Sequence, residues 1–126
     1  LVDVSPEMGL MKFARKSHQN GLFETVTISD KSAEVYSQII ESNQFEISTP
    51  SAMRAGDATF HYGHTIHCAD TNQSDTTREV FTIIYFADGA RITEPINNFQ
   101  KADHERWLDS IAVGELANGR LNPIMN

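Results

Sequence analysis

The sequence predicts a mainly β fold of the β-sandwich or jelly-roll type, with few helices. Many short runs rich in β-branched and aromatic residues alternate with Gly, Pro and polar turn residues. Apolar residues recur at helical spacing in two segments only. A length of 126 residues with 40% hydrophobic content is sufficient for one globular domain with a buried core.

Seven segments are predicted as strands because apolar, β-branched or aromatic residues dominate them and turn residues bound them. In chain order they are residues 1–4, 9–14, 25–28, 45–49, 58–62, 65–69 and 79–87. The last is the strongest, and its nearly continuous apolar character indicates a strand that is covered on both faces. Residues 15–21 are predicted as a loop.

Two helices are expected. Asp30 or Ser32 could cap a helix that runs to about residue 41, and neither choice places an acid at the third helical position, so no capping box is expected. A second helical segment covers about residues 97–113. The residues expected to pack are Val35, Tyr36, Ile39 and Ile40 in the first helix, and Phe99, Trp107, Leu108 and Ile111 in the second.

Charge and composition restrict the possible partners. The formal net charge of −7 argues against nucleic acid and against an anionic membrane surface. No apolar run approaches the roughly 20 residues that span a bilayer. The single cysteine, Cys68, fits a reducing compartment, and we expect a cytoplasmic protein. Strand neighbours face opposite sides, so Cys68 is expected to point away from His67.

Residues 56–78 contain the candidate site, with three histidines within seven positions. Neutral imidazoles are good Fe(II) ligands. The spacing alone, however, favours a structural role over a metal-ligand role for His61, His64 and His67. A straight strand would place His61 and His67 on one face, whereas a turn at Gly63 would break this relation. No His-x-Asp or His-x-Glu pair occurs in the chain.

Arg78 begins the strongest predicted strand. Its guanidinium is either a solvated strand-end group or a bidentate clamp for a carboxylate, and local sequence favours the solvated role.

Four segments together resemble the phytanoyl-CoA dioxygenase family, and in particular the C-terminal half of such a protein. They are residues 3–13, 16–18, 56–72 and 74–78. Members of that family are Fe(II)- and 2-oxoglutarate-dependent oxygenases built on a double-stranded β-helix, a jelly roll related to the cupins. The resemblance implies that residues 1–126 form the C-terminal part of one such domain, a partial domain with peripheral helices.

The resemblance also implies roles for two residues. His67 would be the distal metal ligand, and Arg78 would bind the distal carboxylate of the co-substrate 2-oxoglutarate. The family often has Ser where this chain has Ala69, and Gly where it has Lys16. The family's His-x-Asp motif would lie upstream of Leu1, so we expect the chain alone to be inactive. No further catalytic residue is assigned.

We therefore expect part of a dioxygenase that hydroxylates a small organic substrate with Fe(II) and 2-oxoglutarate. A homo-oligomer is compatible with the sequence. Two alternatives stay open. A related non-haem iron halogenase would lack the carboxylate ligand and bind halide instead. A non-catalytic jelly-roll binding module would bind no iron.

Overall fold

The computed structural model describes residues 1–21, 23 and 29–125. It divides into two compact units, Leu1–Phe81 and Thr82–Asn126. Among its described residues, the first unit contains two 3-10 turns, three strands and one helix: Pro6–Met8, β1 (Met11–Ala14), Ser17–Asn20, α1 (Asp30–Ser42), β2 (Ile47–Ser48) and β3 (His67–Ala69). The second contains α2 (Asn98–Trp107). Single-domain organisation over residues 1–126 stays a prediction.

β1 is the central strand of an antiparallel sheet with the order β2-β1-β3. Phe13 pairs with Ser48 of β2 and with His67 of β3. Directly paired residues share a face of a sheet, and neighbours in a strand alternate. The register therefore places Phe13 and His67 on one face. The strands predicted at 9–14, 45–49 and 65–69 are present in shorter form, whereas Val4 makes only an isolated bridge to Met53.

The cap of α1 differs from the prediction. Ser29 is the N-cap, and its hydroxyl accepts a bond from the backbone N–H of Ser32, while the Ser32 hydroxyl accepts one from the backbone N–H of Ser29. A capping box is therefore present, and the assignment of Asp30 or Ser32 as the cap was wrong. The prediction required an acid at the third position, but a serine hydroxyl also has acceptor lone pairs. The predicted packing face is half-buried, at Val35, Tyr36, Ile39 and Ile40.

Helix α2 is shorter than expected. Asn97 caps its start by accepting a bond from the N–H of Gln100, and Asp109 and Ser110 follow its end with φ of 51° and 53°. Left-handed backbone cannot continue a right-handed helix. Phe99 and Trp107 were expected to pack, but they are 68% and 54% exposed. Leu108 and Ile111 are half-buried.

The strongest predicted strand, residues 79–87, is not a strand in the structure. Val80, Phe81, Ile83, Ile84 and Tyr85 are exposed. A strand needs a partner for its backbone hydrogen bonds as well as suitable side chains, and none of the described residues forms a ladder with this run. Residues 58–62 also lack strand structure. The predicted strand at 25–28 lies outside the described residues.

The first unit has its buried apolar side chains at Met8, Leu10 and Ala14, next to and within β1, and the second at Ile92. The double-stranded β-helix stays a prediction, because a three-stranded sheet is compatible with it and with simpler β folds. Within the described ranges, no helix is both long and apolar enough to cross a membrane.

Candidate functional site

His67 is held by β3 in an orientation that suits a metal ligand. Its Nδ1 lies 2.8 Å from the carbonyl oxygen of Thr65. A carbonyl can only accept, so Nδ1 carries a proton, and in the neutral ring Nε2 then presents a lone pair. Metal-binding histidines commonly use this arrangement, since it fixes both the tautomer and the ring orientation. The ring of Phe13 stacks beside that of His67, with centroids 6.2 Å apart.

His61 lies against the same ring. The imidazole centroids of His61 and His67 are 4.5 Å apart with an interplanar angle of 52°. Phe13 also contacts His61, at a centroid distance of 5.2 Å. Burial, and secondarily the nearby His67, lowers the pKa of His61, which favours its neutral form. The sequence left His61 undecided, and the structure pairs it with His67.

The other two histidines near this part of the chain do not join the pair. His64 is exposed in the turn that follows Tyr62. His18 stacks on Tyr62 instead, with a centroid distance of 4.5 Å. His64 is therefore a natural control position for His61 and His67.

Ser17 fixes the chain immediately before His67. Its side chain is fully buried, and its Oγ accepts a 2.8 Å hydrogen bond from the backbone N–H of Ile66. The carbonyl of Ile66 in turn accepts from the N–H of Ala14, at 2.9 Å. Sequence reasoning gave Ser17 no role of its own. The one available signal was its place in the Lys16-Ser17-His18 segment.

We expect Ser17→Ala to lower the free energy of unfolding by about 1–3 kcal/mol, because it leaves the N–H of Ile66 without its partner. Denaturant unfolding of both proteins measures this difference. Ser51→Ala is the control, since Ser51 is exposed. Equal stability of the two variants would contradict the role given to Ser17.

Arg78 does not begin a strand, which corrects its expected position, and its guanidinium contacts the segment just before β1. Its Nη1 donates to the carbonyl oxygen of Met8 at 3.3 Å and also to that of Gly9. Arginine has five N–H donors, so these two bonds leave donors for another acceptor.

Gly9 makes this approach possible. Its φ is +79°, and a Cβ at this position would collide with the backbone carbonyl of Asp70 and lie 3.1 Å from Nη1 of Arg78. Only glycine fits such a position without strain.

Both predicted site residues therefore border β1. Arg78 contacts Gly9, and His67 pairs with Phe13 four residues further along, which is about 13 Å in extended chain.

The opposite face of the sheet has a different chemistry. Lys12 pairs with Cys68, and its Nζ lies 2.7 Å from Oδ2 of Asp70. The register thus places Cys68 away from His67, as expected. The hydrogen bond to Asp70 raises the pKa of Lys12 above its ordinary 10.5. Any stabilisation from this pair is complete below pH 10.5, the ordinary pKa of a lysine. It is lost as the pH rises through the higher pKa of Lys12 in the folded state.

His67 fits one position of an iron site, and His61 lies beside it. Among the described residues, no group of three His, Cys, Asp or Glu side chains could hold a metal ion. The role of His67 as a metal ligand stays a prediction.

The comparisons with known proteins give one match. The family model for phytanoyl-CoA dioxygenase (PhyH) matches residues 1–80, which is more than half of the chain. Neither a curated protein nor a solved structure matches.

The matched range contains all four segments that carried the resemblance, and both His67 and Arg78. It lies in the N-terminal part of this chain, so it does not support the narrower expectation of a C-terminal half. Proteins of this family are generally Fe(II)- and 2-oxoglutarate-dependent dioxygenases. The chain belongs to the phytanoyl-CoA dioxygenase family.

Proposed function

We propose that this chain supplies the distal metal histidine and the co-substrate clamp of a dioxygenase that uses Fe(II) and 2-oxoglutarate to hydroxylate a small organic substrate. The observation that carries the proposal is the hydrogen bond from His67 Nδ1 to Thr65, which leaves Nε2 free to bind a metal. Membership of the family supports the reaction class.

Each residue has a separate task in this proposal. His67 binds the metal through Nε2, while the Thr65 carbonyl keeps the ring in its orientation. Phe13 lies beside this ring, with centroids 6.2 Å apart. Iron, when bound, supplies the redox chemistry with O2 and 2-oxoglutarate.

Arg78 acts at the other end of the co-substrate. The carbonyls of Met8 and Gly9 position its guanidinium through Nη1. The remaining N–H donors can form charge-assisted bonds to a carboxylate, and their planar geometry suits both of its oxygens.

The other metal ligands are proposed to come from residues outside these 126, as in a chain that forms the C-terminal part of a jelly-roll domain. Two observations support this. The sequence has no His-x-Asp or His-x-Glu pair, and the described residues contain no three-ligand cluster. The unpaired run at 80–86 is also a suitable strand for a larger sheet.

Succinate formation tests the proposal. In the protein at its native length, supplied with Fe(II), ascorbate and 2-oxoglutarate, we expect His67→Ala to abolish metal-dependent succinate formation. His64→Ala is the matched control and is expected to retain it, because His64 is exposed and outside the pair. Activity of His67→Ala equal to the wild type would refute the ligand assignment.

The same assay separates the alternatives. The 126-residue chain alone should form no succinate, since one iron ligand and a clamp do not complete the site. Metal-dependent succinate from this chain would show that its own residues complete the ligand set. A halogenated product would identify the halogenase, and absence of iron binding by the native-length protein would indicate a binding module.

A further inference from the structure

We propose that His61 and His67 together form a two-imidazole binding site for a divalent transition-metal cation, with Cu²⁺ or Ni²⁺ preferred over Zn²⁺. The site uses His67 but requires neither 2-oxoglutarate nor the ligands that Fe(II) would need. His61 is the new element, because the sequence left its role undecided and the structure pairs its ring with that of His67.

The spacing of the two rings fits such a site. At a metal–nitrogen distance of about 2.1 Å, a ring centroid lies about 3.2 Å from the metal. Two rings at right angles about the metal then have centroids about 4.5 Å apart, and two rings at the tetrahedral angle about 5.2 Å apart. The observed separation is 4.5 Å. This separation is compatible with two imidazoles in adjacent positions of a square-planar or tetragonal site, the geometries typical of Cu²⁺ and Ni²⁺.

The surroundings hold the pair in place before a metal binds. Phe13 contacts both rings, at 5.2 Å and 6.2 Å between centroids. His67 is further fixed by β3 and by the Thr65 carbonyl. Preorganised ligands lose little conformational freedom on binding. Both histidines are exposed, so a cation can reach them and water can fill its remaining positions.

Titration of Cu²⁺ into the untagged 126-residue chain at neutral pH, followed by calorimetry, tests the site. The amine of Leu1 is acetylated and all proteins carry Cys68→Ser, so that neither the amine nor the exposed thiol can bind or reduce Cu²⁺. We expect one binding site. Its Cu²⁺ affinity should fall at least about tenfold in His61→Ala and in His67→Ala, because removal of a metal ligand weakens binding at least as much as removal of a residue that only supports a ligand. His64→Ala should bind within about twofold of the wild type. Zn²⁺ should bind more weakly than Cu²⁺.

Paramagnetic broadening gives a second measurement that does not depend on affinity. Substoichiometric Cu²⁺ should broaden the ring signals of His61 and His67 and leave those of His104 sharp. Near-UV circular dichroism checks that each variant retains its fold.

Three results would overturn the proposal: no binding by the wild type, an equal loss in His64→Ala, or a loss in His67→Ala without one in His61→Ala. The last would leave His67 as a single ligand and the proposed oxygenase intact. Conversely, a succinate assay that refuted the dioxygenase assignment would not change the expected result of this cation titration.

Discussion

Replacement of Gly9 by alanine is expected to lower the free energy of unfolding by about 2–5 kcal/mol. The left-handed backbone at φ +79° costs a Cβ-bearing residue about 1–2 kcal/mol. The collision of that Cβ with the Asp70 carbonyl requires a backbone shift, which adds about 1–3 kcal/mol. The neighbouring Met8 and Leu10 are buried, so the segment has little room to adjust. Denaturant unfolding measures the difference.

Gly89→Ala separates the two contributions. Gly89 lies in a turn closed by the bond from the N–H of Ala90 to the carbonyl of Ala87, and it has nearly the same φ, +82°, but a Cβ there meets no atom of the described residues within 4 Å. We expect it to cost only the conformational share, about 1–2 kcal/mol. Equal losses in the two variants would show that the close approach of Asp70 to Gly9 has no energetic weight.

Arg78→Ala should weaken 2-oxoglutarate binding by about tenfold to a hundredfold in the native-length protein, with iron affinity changed less than about twofold. A hydrogen bond to a charged group contributes about 1.5–3 kcal/mol, and each 1.4 kcal/mol corresponds to a factor of ten. Arg78→Lys should recover part of the loss, because it keeps the charge but not the planar pair of donors. Separate titrations of 2-oxoglutarate and of metal measure the two affinities.

Arg54→Ala is the matched control, since Arg54 is an exposed arginine in the same unit. Arg78 also donates to the carbonyls of Met8 and Gly9, so its loss should lower the stability as well. A loss of stability with unchanged 2-oxoglutarate affinity would make Arg78 a purely structural residue and refute the clamp.

The elements that the sequence predicted correctly are those determined by local pattern. The apolar residues of β1 and the helical spacing of Val35, Tyr36, Ile39 and Ile40 identified a strand and a helix close to their observed positions. The run at 79–87 has the strongest β propensity of the chain, yet it forms no strand. Propensity describes how a residue fits a sheet and does not provide the neighbouring strand.

The site was predictable to a lesser degree. The motifs around His67 and Arg78 resembled a family, and the family match includes both residues. The contact between His61 and His67 depends on the turn at Gly63, and the support of Ile66 by Ser17 joins residues 49 positions apart. Periodicity describes neighbours along the chain, so it could not predict either contact. The close approach of Asp70 and Arg78 to Gly9 likewise joins residues that are far apart in the sequence.

The exposed run from Val80 to Phe86 also affects how the chain behaves in solution. Its seven residues, Val-Phe-Thr-Ile-Ile-Tyr-Phe, contain no charge, no proline and no glycine. This is the composition of segments that stack into dry cross-β fibrils. Glu79 and Asp88 flank the run, and acidic residues at such borders oppose stacking by mutual repulsion. Salt screens that repulsion. The colloidal stability of the isolated chain therefore depends on ionic strength and protein concentration, through a segment separate from the candidate metal ligand.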